Sequence, residues 1–127
     1  MVADDLLKDL NPAQQQVVKT TDGAVLVLAG AGTGKTRCVT FRCGYLIGSG
    51  KARPNDLLVL TFTNKAAREL NERLHELFGL KSSQLWVGTF HSIFSRILRF
   101  EAAALPYNSS YAIYDDKDQK ALFRQIY

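Results

Sequence analysis

The sequence predicts an α/β fold, an open parallel sheet with flanking helices, and three observations carry that expectation. A continuous apolar run of strand length stands at Ala24-Val25-Leu26-Val27-Leu28, Leu57-Leu58-Val59-Leu60-Thr61-Phe62 reads as a second buried strand, and Gln84-Leu85-Trp86-Val87-Gly88 reads as a third. Each is followed by a stretch whose apolar residues recur at helical spacing. A glycine-rich turn, Ala29-Gly30-Ala31-Gly32-Thr33-Gly34-Lys35-Thr36, closes the first run. In open α/β sheets ligands sit at the carboxyl ends of the strands, where this turn falls.

In chain order, Leu10-Asn11-Pro12 reads as a helix start. The Asn11 side chain can accept from free amides, and Pro12 fits the first helical position. The helix is expected to reach about Val18, and Thr20-Thr21-Asp22-Gly23 reads as a turn into a strand at residues 24–28 buried on both faces. A helix is predicted from Lys35 to about Ile47, ended by Gly48-Ser49-Gly50, before the second buried strand at 57–62. Asn64 is expected to cap the next helix, with Ala67, Leu70, Leu74, Leu77 and Phe78 as its apolar stripe and Glu69 and Arg73 as an i,i+4 pair. Gly79 stops it. After the third strand at 84–88, Phe90, Ile93, Phe94, Ile97 and Leu98 mark another amphipathic helix, and Trp86 reads as core. The stretch 105–110 breaks the pattern, Tyr111 to Tyr114 reads as a short extended piece, and Asp116 with Gln119 resembles a capping box opening a helical C-terminal end.

The 127 residues make about one domain, and 46% hydrophobic with 22% charged residues is a globular composition. No apolar run approaches the roughly 20 residues that cross a bilayer. With acids rather than basic residues at the N-terminus, a cytoplasmic protein is expected. Sixteen basic against twelve acidic residues give a net charge of +4, compatible with nucleic acid without demanding it. Cys38 and Cys43 lack a zinc-type spacing and read as reduced packing residues.

The turn at 29–36 has the spacing of a P-loop, with Ala29 where the strict pattern begins with glycine. Nucleoside triphosphate oxygens are met by converging backbone amides and the positive end of a helix dipole. Gly30, Ala31, Gly32, Thr33 and Gly34 form the cradle. Lys35 supplies a point charge to the outer phosphates, and the Thr36 hydroxyl is placed to ligate Mg²⁺. ATP and Mg²⁺ are the expected cofactors, and Lys35 and Thr36 the expected catalytic residues. A P-loop names a superfamily and no single reaction.

Leu10-Asn11-Pro12-Ala13-Gln14, the P-loop followed by Arg37, Leu60-Thr61-Phe62-Thr63-Asn64-Lys65-Ala66-Ala67, and Gly88-Thr89-Phe90-His91-Ser92 occur in this order. Together they resemble the motifs of UvrD/Rep-like superfamily 1 DNA helicases, over residues from about 10 to 99. The resemblance implies a RecA-like P-loop NTPase, incomplete in this chain. Residues 1–104 would be the first part of ATP-binding domain 1A and 105–127 the start of helical accessory domain 1B.

By the same resemblance, Gln14 hydrogen-bonds the adenine edge and Arg37 lies against the base. Read from the residues alone, Gln14 is equally a surface side chain, and Arg37 equally one half of a surface ion pair. The second motif lines a path for single-stranded DNA, with Phe62 as a stacking face and Thr61, Thr63, Asn64 and Lys65 near backbone phosphates. Its structural alternatives are Phe62 as core and Asn64 as a cap only. Gly88, Thr89 and His91 would form a second single-strand contact, and Arg96 and Arg99 extend a basic groove or are simply solvated. His91 has no carboxylate partner in the pattern and is not read as catalytic.

ATP hydrolysis in this family needs an Asp-Glu magnesium motif and arginines from a second RecA-like domain. Asp115-Asp116 follows a polar break and reads as a helix cap instead. The chain is therefore expected to be the N-terminal part of a longer ATP-driven motor moving 3′ to 5′ on single-stranded DNA and unwinding duplex junctions in repair or replication. Its partners would be DNA and the remaining domains 1B, 2A and 2B, with no membrane involved, and turnover by the chain alone is expected to be very low. Two other classes stand beside this one: a non-catalytic P-loop module, and another P-loop enzyme such as a small-molecule kinase.

Overall fold

The computed structural model describes residues 5–126, and the expectations that touch residues 1–4 and Tyr127 lie outside them. Among the described residues are five α-helices and a two-stranded parallel sheet. They form two compact units, one up to Ile93 and another from Phe94.

In the first unit a 3-10 turn at Asp5–Leu7 leads to α1, Pro12–Lys19, which begins as the sequence implies. Asn11 Oδ1 accepts from the Gln14 amide at 2.9 Å while Gln14 Oε1 accepts from the Asn11 amide at 3.1 Å, a reciprocal box that satisfies two otherwise orphaned donors. Helix α2 spans Lys35–Gly48, strand β1 Leu58–Thr61, helix α3 Asn64–Phe78 and strand β2 Trp86–Thr89. The unit β1-α3-β2 is a parallel crossover with Leu58 opposite Trp86 and Thr61 opposite Thr89. Helix α4, Phe90–Phe100, leaves directly from β2.

Two apolar clusters hold this unit. Leu6, Leu7, Leu10 and Val18 pack with Phe41 of α2, and Cys43 of the same helix packs with Leu70, Leu74, Leu80 and Leu85. Phe78 touches both clusters and meets Phe41 edge-on, with ring centroids 6.0 Å apart. That packing depends on Gly44, where an added Cβ would come within 2.5 Å of the Phe78 ring. Both cysteines are buried free thiols, and burial pushes the Cys43 thiol up to about 11.

The structure corrects the sequence reading at several points. Residues 24–28 form no strand. Leu26 and Leu28 are 85% and 88% exposed, with Val25 and Val27 at 41%. Parallel pairing needs a neighbour to receive each amide and carbonyl, and among the described residues this run has none. The sheet is consequently two strands wide, and both strands are shorter than their apolar runs. The cap of α3 is Thr63, whose Oγ1 accepts from the Ala66 amide at 3.1 Å, so Asn64 is already inside the helix. Glu69 pairs with Lys65 at 4.0 Å and not with Arg73, Leu77 is exposed, and Trp86 is only partly buried.

In the second unit the Tyr111 hydroxyl donates to the Ser95 carbonyl at 2.7 Å, and Arg99 lies over the Tyr111 ring at 5.5 Å. Arg96 lies over the Phe100 ring at 6.0 Å. Residues 111–114 form no strand. Helix α5, Asp116–Ile126, buries none of its residues. Its capping box sits one residue earlier than the sequence implies. Asp115 Oδ1 accepts from the Asp118 amide at 2.9 Å, and Asp118 Oδ2 accepts from the Asp115 amide at 3.1 Å. The acidic pair at 115–116 thus serves a helix start, as its polar context implies.

Candidate nucleotide and nucleic-acid sites

The glycine-rich turn leads into α2 through Gly34, which sits at φ +83° as the N-cap residue and offers no side chain to the helix. The first-turn amides of Lys35, Thr36 and Arg37 therefore have no capping oxygen, leaving donors of the kind an anion uses. Gly32 is also left-handed, at φ +73°. Within the turn the Thr33 hydroxyl donates to the Gly30 carbonyl at 2.7 Å. Lys35 Nζ donates to the same carbonyl at 2.6 Å and to that of Ala29 at 3.0 Å, so the ammonium folds back over its own loop. The exposed Thr36 hydroxyl makes no hydrogen bond to the described residues, while the Thr36 carbonyl accepts from the buried Thr40 hydroxyl at 2.9 Å.

Gln14 comes to the same place from another element. The point where a Cβ on Gly34 would stand is 2.8 Å from Gln14 Nε2, so glycine there leaves room for the amide as well as for the turn. The capping box of α1 holds that side chain by its oxygen and leaves Nε2 against the loop. Arg37 is tied down: its Nη2 donates to the Asp9 carbonyl at 2.8 Å and its guanidinium lies 5.3 Å over the Phe41 ring. Behind the loop, Val17, Val25, Val27, Lys35, Cys38 and Arg42 line an open, mostly apolar cleft of about 320 Å³.

The exposed Thr36 hydroxyl beside uncapped amides, with an ammonium one residue away, is a donor set that suits a magnesium-bound triphosphate. Among the described residues no cluster of three or more His, Cys, Asp or Glu side chains stands ready to hold a metal.

At the ends of the two strands lies a second group of polar and aromatic residues. The Thr61 hydroxyl donates to the Thr63 carbonyl at 3.1 Å and approaches the Gly88 carbonyl at 3.4 Å, joining the two strand ends. Thr89 is buried and its Oγ1 accepts from the Ser92 amide at 3.2 Å, fixing the first turn of α4. Gly88 permits that turn to close, because a Cβ there would meet Ser92 Oγ at 2.7 Å. Asn64, Lys65 and His91 are exposed, and Phe62 is 92% exposed, so the core alternative for Phe62 fails. Its ring stands 5.5 Å from that of Phe90, with the planes at 37°. Sequence reasoning passed over Phe90 as the start of an apolar stripe. The signal that could have found it is the register, which sets residues 62 and 90 one step beyond the paired Thr61 and Thr89.

The UvrD/REP helicase N-terminal domain profile matches residues 10–127. The ATP-dependent DNA helicase PcrA of Bacillus subtilis is 44% identical over 98% of this chain, and that of Staphylococcus aureus strain Mu50 is 43% identical over 95%. The corresponding Staphylococcus epidermidis protein is 40% identical over 95%. The chain spans 17% of the length of each of these relatives.

Proposed function

The chain belongs to the UvrD/REP helicase family, and from that premise we propose that it is the N-terminal ATP-binding part of an ATP-dependent DNA helicase that translocates 3′ to 5′ on single-stranded DNA. The observation that carries the proposal is the meeting of Gln14 and Gly34. It brings a side-chain amide suited to a purine edge against a phosphate-type loop held at an uncapped helix start. In this reading the backbone amides of residues 30–36 orient the phosphates. Lys35 leaves the carbonyls of Ala29 and Gly30 for the outer phosphates, and the Thr36 hydroxyl holds Mg²⁺, whose charge offsets that of the phosphate oxygens. Gln14 selects the base and Arg37 lies against it.

The face on which Phe62, Thr63, Asn64, Lys65 and His91 are exposed, with Thr61 and the buried Gly88 and Thr89 beneath it, takes the single strand. Bases stack without being read, and phosphates meet hydroxyls, amides and Lys65. Residues 1–104 would form the start of domain 1A and 105–127 the start of domain 1B. The parent would work with domains 1B, 2A and 2B on single strands and duplex junctions, in DNA repair or replication, in the cytoplasm. Turnover by this chain alone is expected to be very low, because it would lack the Asp-Glu magnesium motif and the arginines of a second RecA-like domain.

Binding of Mg·ATP and of oligo-dT to the chain, separately and together, tests the proposal while phosphate release is followed. Lys35→Ala should weaken Mg·ATP about 10- to 100-fold, the range for losing a charge-assisted contact. Oligo-dT should bind weakly and in a salt-sensitive manner. Nucleotide binding with no oligonucleotide binding even at low salt would remove the single-strand track and favour a nucleotide-binding module.

A further inference from the structure

We propose that Phe90 is a positioning residue for single-strand binding, holding the Phe62 ring ready to take an unstacked base. This rests on the single-strand track proposed above. Strands β1 and β2 run parallel with Thr61 opposite Thr89, so residues 62 and 90 leave the sheet side by side. Their rings lie 5.5 Å apart at 37°, within the range of an offset aromatic pair.

The two rings are held very differently. Phe62 is the most exposed of the large apolar side chains among the described residues, at 92%, and follows the end of β1. Phe90 opens α4, and the buried Thr89 behind it is bonded to Ser92 through both the Ser92 amide and the Ser92 hydroxyl. The helix start therefore fixes the backbone that carries Phe90, whose ring is less open than that of Phe62, at 38% against 92% exposed. A lone exposed phenylalanine would spread over its rotamers and have to be ordered on each encounter. A neighbouring ring narrows that spread before a base arrives, and stacking on a phenylalanine face tolerates any base.

The test is the affinity of the chain for oligo-dT carrying 2-aminopurine at fixed low salt, with base fluorescence reporting stacking. Phe90→Leu should weaken binding about three- to tenfold, the range for losing an aromatic pair, and reduce the fluorescence change. Phe90→Tyr, which keeps the ring, should restore both. In a Phe62→Ala background Phe90→Leu should cost nothing further, and Mg·ATP affinity should be unchanged throughout. Should Phe90→Leu lower the melting temperature, Phe90→Met carries the same comparison. Unchanged binding by the leucine and methionine variants beside weakened binding by Phe62→Ala overturns the proposal and leaves the track standing. So do losses that multiply in the double variant. Failure of the unsubstituted chain to bind the oligonucleotide overturns the track and this proposal together.

Discussion

Residues 24–28 and Leu58–Thr61 are both mostly apolar stretches that end in a loop, yet they are held in opposite ways. The second pairs along its length with Trp86–Thr89 and lies against α3, whose Leu74 is fully buried. The first has no ladder partner among the described residues and exposes Leu26 and Leu28 almost completely. The difference teaches that an apolar run states a demand for cover, while the hydrogen-bonding neighbour decides whether a strand forms. The loop that follows the unpaired run is nonetheless well built, because its order comes from α1 and α2: Gln14 reaches it from one, and Gly34 turns into the other.

The largest effect that would break this contrast is expected at the paired side. Leu74→Ala should lower stability by about 2–5 kcal/mol in denaturant titration, the range for emptying a core leucine site. A loss below 1 kcal/mol would show that the cluster under β1 is not what holds the unit. Next comes pH. Cys43 shares that cluster, and its thiol is raised from 9.0 to about 11 by burial. Its folded-state value lies above the unfolded one, so the associated stability is intact below pH 9 and falls as pH rises toward 11. Unfolding free energy should drop by roughly 2–3 kcal/mol across that window, and Cys43→Ala should flatten the profile. Thr63→Ala should cost about 1 kcal/mol through the lost cap of α3, whereas Asn64→Ala should cost less. The smallest effect is expected in the unpaired run: Leu28→Ser should change stability by no more than about 0.5 kcal/mol. If it destabilises as much as Leu74→Ala, the two stretches are held alike and the comparison collapses.

Much of this was legible from local chemistry. Asn11 and Pro12 announced the start of α1, Gly48 to Gly50 ended α2, and Gly79 ended α3, because caps and left-handed turns need only near neighbours. The shifts of one residue at Thr63 and Asp115 arise where two adjacent side chains both carry an oxygen able to cap, and backbone geometry chooses between them. The unpaired state of residues 24–28 was not legible, since pairing is a property of the neighbour and not of the run. At the candidate sites the loop and its flanking helix were readable as a pattern. The approach of Gln14 to Gly34 and the tether of Arg37 to Asp9 were not, for they join residues about 20 and 28 positions apart in three dimensions.

On the proposed nucleotide-binding reading, the folded-back Lys35 would give binding the character of a substitution reaction. The ammonium already has two oxygen ligands, the carbonyls of Ala29 and Gly30. A triphosphate entering the loop would have to displace both as it acquired the lysine, so its affinity would report an exchange of ligands around one cation. The carbonyls would then act as a built-in competitor, and a weakly charged ligand such as a monophosphate would gain little from the swap. Discrimination by phosphate number would then begin in the empty loop, before any metal or base is engaged.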